Sequence, residues 1–218
     1  KVVKLFSGQQ KIRIISSESR LPYGDDDREI HLIAIGASTG GPVILQKILS
    51  RLPKELPVPI LIVQHIAAGF VKGFVEWLST SSGIPIKIAS DGETLKAGTG
   101  YVAPDGYHMG VSQGPVIILS NLPPENGLRP SIDHLFRSVA HVMGKNAIGI
   151  LLTGMGKDGA VELKAMKDKG SITIAQDEES SLVFGMPGEA IRIGAADHIL
   201  SLEGISAFLE NFAEEKIL

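Results

Sequence analysis

Short, continuous apolar runs rich in β-branched residues alternate along this chain with stretches whose apolar residues recur at helical spacing. The runs fall at 31–35, 59–64, 86–89, 147–152, 171–175 and 198–201. Between them, 42–52, 70–78, 132–143, 160–169, 187–193 and 205–212 read as helices. A strand that is apolar at every position is buried on both faces. A helix between successive strands forces a crossover, which makes the neighbouring strands parallel. The expected fold is therefore α/β: a doubly wound, mostly parallel sheet with helices on both faces. Residues 99–119 break the rhythm. There, 101–103, 107–112 and 116–119 are short strands split by Asp105-Gly106 and Gln113-Gly114, which predicts an inserted antiparallel hairpin region.

Composition narrows the function classes. The chain has 218 residues, 44% hydrophobic and 21% charged, which excludes wholesale disorder. Cysteine is absent, so a disulfide framework, a cysteine zinc site and a cysteine nucleophile are all excluded. A net charge of -3 argues against a nucleic-acid module. No apolar run approaches the ~20 residues of a membrane span, and no signal-peptide core follows the basic start. Residues 1–28 lack a sustained apolar period and run through Ser16-Ser17-Glu18-Ser19-Arg20 to Asp25-Asp26-Asp27-Arg28. They read as a linker, with a short strand at 11–15, that follows a further domain upstream. Residues 29–218 form the expected domain.

In open parallel sheets, ligands and chemistry collect beyond the carboxyl ends of the strands. Three segments sit there. Gly36-Ala37-Ser38-Thr39-Gly40-Gly41-Pro42 matches G-x-S-x-G, the tight strand-to-helix turn that lifts a serine hydroxyl above the sheet. The same loop also reads as an anion- or nucleotide-binding turn at a helix start, or as a plain structural turn. It lacks the G-x-G-x-x-G spacing and the lysine of a P-loop. Gln64-His65 follows the next apolar run, and His65 is the one histidine of six placed as a general base. Thr153-Gly154-Met155-Gly156-Lys157-Asp158-Gly159-Ala160 follows a third run. Asp158 there either orients His65 or caps the helix that begins near Gly159, and the Met155 N–H is a candidate oxyanion donor. The chain order Ser38, His65, Asp158 is not that of α/β-hydrolases, but a triad is defined by geometry rather than order. No cluster of His, Asp and Glu has metal-ligand spacing, and no metal or cofactor is expected.

These strings, with Arg129-Pro130-Ser131-Ile132-Asp133 and Phe184-Gly185-Met186-Pro187, resemble the catalytic domain of the bacterial chemotaxis protein-glutamate methylesterase family, CheB, over residues 30 to 210. The resemblance implies Ser38 as nucleophile, His65 as base and Asp158 as its orienting acid, with the Thr39 and Met155 N–H groups binding the oxyanion. It implies removal of methyl groups from glutamate esters on the cytoplasmic helices of chemoreceptors, deamidation of receptor glutamines, and a cytoplasmic location. It also implies control by an N-terminal phospho-receiver domain and its histidine kinase. The loops at 176–179 and at Arg129-Pro130 are expected to border an open cleft, with Arg129 contacting acidic receptor helices. Glu162 departs from the glycine frequent in the family, and a surface difference is expected there.

Overall fold

The computed structural model of the chain describes residues 13–14 and 29–217. The linker expected at 1–28 lies outside the described residues except for a strand β1 (Arg13–Ile14), inside the short strand expected there. The chain continues through β2 (Leu32–Ala37), α1 (Gly41–Leu49), β3 (Ile60–Gln64), α2 (Val71–Ser81), β4 (Ile86–Ile88) and β5 (Gly100–Val102). It then forms β6 (His108–Ser112), β7 (Val116–Ser120), α3 (Ile132–Val142), β8 (Ala147–Leu151) and α4 (Ala160–Asp168). β9 (Ile172–Gln176), α5 (Met186–Arg192), β10 (His198–Leu200) and α6 (Leu202–Ile217) complete it.

Eight strands form one sheet in the order β1-β10-β9-β8-β2-β3-β5-β4, and each pairing is parallel. The continuous apolar runs have the expected cause: β2, β3, β8 and β9 are buried at every position. Alternate side chains serve opposite faces. Ile33, Ile35, Ile60 and Ile62 pack with α1, α2 and α6, whereas Leu32, Ala34, Leu61 and Val63 pack with α3, α4 and α5. Among the described residues no helix is long and apolar enough to cross a membrane.

The hairpin region divides. β6 and β7 pair antiparallel as a separate small sheet, and Val111 N–H donates to Ser138 Oγ on α3 at 3.1 Å. β5, grouped by sequence with these hairpins, instead lies parallel between β3 and β4. Its Tyr101 and Val102 are buried, so it needs cover on both faces, which the main sheet provides and the hairpin does not. The closing helix is longer than expected because Leu202 and Ala213 extend its buried stripe beyond 205–212.

β2 pairs with β3 on one side and with β8 on the other. The chain winds outward from β2 toward β3 and β4, then returns to β8 and winds the opposite way. The switch point is thus the β2–β8 boundary, where a crevice opens at the carboxyl edge. Beside it, Ile132 at the start of α3 covers the side-chain space of Gly36 in β2. Gly36→Ala should therefore overpack this contact and lower stability by about 1–3 kcal/mol in urea unfolding. Combined with Ile132→Ala, which vacates that space, the loss should be smaller than the sum of the two single losses.

Candidate active site

Strand register brings the first two expected residues together. Ala37 of β2 pairs with Gln64 of β3, so Ser38 and His65 leave adjacent strands side by side. The His65 N–H donates to Ala37 O at 2.9 Å, which extends the ladder by one step. Ser38 is half-buried, and its N–H donates to Thr153 O at 3.0 Å on the loop after β8. That loop runs close beneath the serine: a Cβ added to Gly154 would lie 2.6 Å from Ser38 Cβ. Among the described residues the Ser38 hydroxyl makes no hydrogen bond, and neither the Thr39 nor the Met155 N–H has an acceptor. Met155 itself is 78% exposed.

Asp158 is buried and meets His65 directly, Nε2 to Oδ2 at 2.9 Å. The local cap, the alternative reading of Asp158, is not what the structure shows. Gly159 precedes α4 without a side-chain cap, and Asp158 turns instead to the N-terminus of α3. Its Oδ2 accepts from Ile132 N–H at 2.7 Å, and its Oδ1 accepts from Asp133 N–H at 3.1 Å and from Ser131 Oγ at 2.9 Å. Ser131 is the N-cap of α3, and its Oγ also accepts from His134 N–H. Burial alone would raise the pKa of Asp158. The hydrogen bonds from His65, Ile132, Asp133 and Ser131 together outweigh it and hold the carboxyl below its ordinary range.

The favour is returned. Asp133, in the first turn of α3, accepts from Gly159 N–H at 2.9 Å, ahead of α4. Each helix start is thus held by an aspartate that belongs to the other. The cost falls on Asp133, whose pKa is pushed up to about 6, first by burial and then by the Asp158 charge beside it.

Other loops lock onto this frame. Gln176, at the end of β9, accepts Thr153 N–H with Oε1 at 2.8 Å and donates from Nε2 to Ser180 O at 2.9 Å. Val183 O accepts Gly154 N–H at 2.9 Å, and Leu182 packs against Gly40. The chain beyond Gln176 therefore borders the serine loop, while Gln176 itself is buried. Arg129 lies two residues before Ser131. It is exposed, and its Nη1 donates to Asn121 O and Leu122 O, each at 3.0 Å.

Ser131 and Asp133 carry no individual role in the sequence reading, and Gln176 is placed there only in a loop bordering the cleft. Ser131-Ile132-Asp133 had one legible signal, a serine in capping position before an apolar helical stretch. His108, in the strand expected at 107–112, is fully buried. Its Nδ1 accepts from Ser131 N–H at 3.2 Å, which leaves the proton on Nε2 facing Pro123 O at 3.2 Å. Its ring stacks on His134 with centroids 4.6 Å apart, and His134 pairs with Glu125 at 2.9 Å. These three residues place ligand-type atoms within 4.8 Å of one another. Stacked rings do not aim their nitrogens at a common point, and Arg137 grips both oxygens of Glu125. The cluster reads as a polar network supporting the start of α3. Glu162 joins it by pairing with Arg137 at 2.9 Å, so it ties α4 to α3 and is more than a surface difference.

A serine, a histidine–aspartate pair and unpaired N–H groups at the switch point of a parallel sheet are the arrangement expected of a serine hydrolase site. Residues 33–209 match the model of the CheB methylesterase family. A protein-glutamate methylesterase/protein-glutamine glutaminase of Syntrophus aciditrophicus is 51% identical over 98% of this chain and 61% of its own length. One from Geobacter metallireducens is 55% identical over 84% of this chain and 53% of its own. The crystal structure of the Thermotoga maritima CheB methylesterase catalytic domain superposes with a TM-score of 0.81 at 37% identity, covering 84% of this chain and 99% of that one. The chain belongs to the CheB methylesterase family. It spans 61% and 53% of the lengths of the two curated relatives.

Asp133 offers a test of the reciprocal arrangement. Folding raises its pKa from 3.8 to about 6, so the folded state binds this proton more tightly. The group therefore opposes folding increasingly as pH rises through that window. Asp133→Asn keeps an oxygen for Gly159 and removes the charge. It should be more stable than the parent at pH 8, with the gain shrinking as pH falls from about 6 toward 4, read by urea unfolding across that range.

Proposed function

We propose that this chain is a serine hydrolase that removes methyl esters from glutamate side chains on the cytoplasmic helices of chemoreceptors, releasing methanol. The same machinery would deamidate receptor glutamines, releasing ammonia. The observation that carries the reading is the His65–Asp158 pair at 2.9 Å, its members following β3 and β8, the two strands that flank the one presenting Ser38. An ionised Asp158 only accepts, so Nε2 of His65 carries its proton and Nδ1 carries the lone pair. Nδ1 takes the Ser38 proton as Oγ attacks the ester carbonyl. The oxyanion that forms accepts from the Thr39 and Met155 N–H groups. Collapse expels methanol, which leaves with the proton held by His65, and water repeats the sequence to free the glutamate. None of these steps calls for a cofactor.

The names of the relatives support this substrate class. An anion-binding loop is the weaker reading, because the Gly41 N–H is committed to Ser38 O at 2.8 Å and Pro42 has no N–H to offer. Family resemblance supplies the remaining parts of the proposal: a cytoplasmic setting, and control by a receiver domain and its histidine kinase.

A serine-directed phosphonofluoridate should label Ser38, located by mass spectrometry, and labelling should weaken in His65→Gln. Ser38→Ala should lower methanol release from a methylated receptor fragment by a factor on the order of 10⁴–10⁶. Labelling elsewhere, or turnover that survives in Ser38→Ala, would sink the assignment. We further propose that Arg129 contacts acidic receptor helices through its remaining guanidinium donors. Arg129→Ala should raise KM for receptor peptide with kcat unchanged, and an unaltered KM rejects the contact.

A further inference from the structure

Gln64 is the last residue of β3, directly before His65, and is only 3% exposed. Its Nε2 donates to two carbonyls at once, Ser38 O at 2.9 Å and His65 O at 2.7 Å. These carbonyls belong to the proposed nucleophile and the proposed base. The amide orientation is fixed by chemistry: turned over, its oxygen would face two carbonyl oxygens at those distances. The other end of the amide is left unsatisfied. Among the described residues Oε1 is buried without a hydrogen-bond partner, an arrangement that weakens a fold. It sits in the side-chain space of Gly41, so any residue with a Cβ there would collide with it. The serine turn is therefore shaped around this amide, and the molecule tolerates a stranded acceptor to keep one NH₂ group between two backbone oxygens.

We infer that Gln64 is a positioning residue, a clamp that fixes the Ser38 turn and the His65 strand end as one unit. It touches no substrate. It acts by holding the backbone from which the hydroxyl and the imidazole project, and Gly41 is its socket. A hydrogen-bonded ladder already runs up to this point, because His65 N–H is paired with Ala37 O. Beyond that pair the strands diverge into separate loops. The Gln64 amide is the contact that carries the registration one residue further, to the level of the reacting groups. The inference rests on the assignment of Ser38 and His65 as nucleophile and base.

The test is Gln64→Met, which conserves shape, removes both donors and abolishes the stranded oxygen. The rate of Ser38 labelling by phosphonofluoridate should fall on the order of 10²-fold, the scale of a small misplacement of reacting groups. Receptor-ester turnover should fall in kcat with KM unchanged. Thermal unfolding should stay near the parent value, while amide exchange at Gly41 and His65 speeds up. A merely structural role would lower the unfolding temperature and leave that kinetic split unmoved. Labelling of Gln64→Met at the parent rate overturns the clamp and leaves the hydrolase reading standing. A loss that only tracks the unfolded fraction also overturns it. Parent protein that is not labelled at Ser38 overturns the hydrolase reading and the clamp together. If Gln64→Met fails to fold, Gln64→Leu gives the same comparison, since it too is uncharged and lacks both donors and the stranded oxygen.

Discussion

The carboxylate of Asp158 sets the terms for everything around it. A buried, isolated carboxylate would cost tens of kcal/mol in a medium of low polarity, so the fold must surround it with donors. It does so with the first turn of α3, which contributes two backbone N–H groups, the Ser131 hydroxyl and the favourable end of a helix dipole. The remaining donor is His65. An ionised acid at this position therefore comes from the placement of α3, and α3 in turn is seated by Ile132 over Gly36 and by Asp133 on Gly159. Packing, capping and the charge state of one side chain are a single problem here with a single solution.

The reciprocal use of aspartates explains why two acids lie so close in a largely apolar region. Each helix start exposes N–H groups that its own sequence does not satisfy. Asp158 satisfies those of α3 and Asp133 that of Gly159, so two loops distant in sequence are fixed to each other. Like charge between them is the penalty, and it is borne by Asp133, whose hydrogen bonds from the Gly159 and Glu162 N–H groups and a long one from Asn126 do not offset its burial and the Asp158 charge. Asp158, with four donors, keeps its charge at the position where the imidazole needs it.

The layers of the fold were legible because burial on both faces writes itself into strands as unbroken apolar runs, as in Leu32-Ile33-Ala34-Ile35. Residue pairs that lie close in space and far apart in the chain were not. The three-residue strand at Gly100–Val102 carries too few positions to declare a direction, and its neighbours' turn residues drew it into the hairpins. Asp158 sat before a helix, where the local rule suggests a local cap, and only the tertiary fold brings α3 within its reach. Gln64 looked like the polar end of a strand, and nothing nearby in sequence hints that its amide spans to Ser38. Glu162 read as solvent-facing by position, yet Arg137 approaches it from the other helix. The candidate triad was visible because each member follows an apolar run. The groups that support it were hidden because their partners lie 23 to 26 residues away in the chain or more.

Under the proposed assignment of Ser38 and His65, the strand order also accounts for which ring nitrogen would serve which partner. β2 lies between β3 and β8, so the hydroxyl stands between the strand that carries the base and the loop that carries the acid. Ser38 follows the strand adjacent to that of His65, at the ordinary strand spacing of about 4.8 Å, whereas Asp158 belongs to the loop one strand further. The ring spans this arrangement with its distal nitrogen, Nε2, on the carboxylate. The proximal nitrogen, Nδ1, then remains for the nearer hydroxyl. In the familiar serine protease triad the two nitrogens serve the opposite partners. The exchange costs nothing chemically, because either nitrogen of a neutral imidazole can carry the lone pair once the other is bonded to an acid. On the proposed assignment, a parallel sheet that places nucleophile and base on neighbouring strands thus leaves Nδ1 as the proton acceptor, with the tautomer fixed by the carboxylate that α3 keeps ionised.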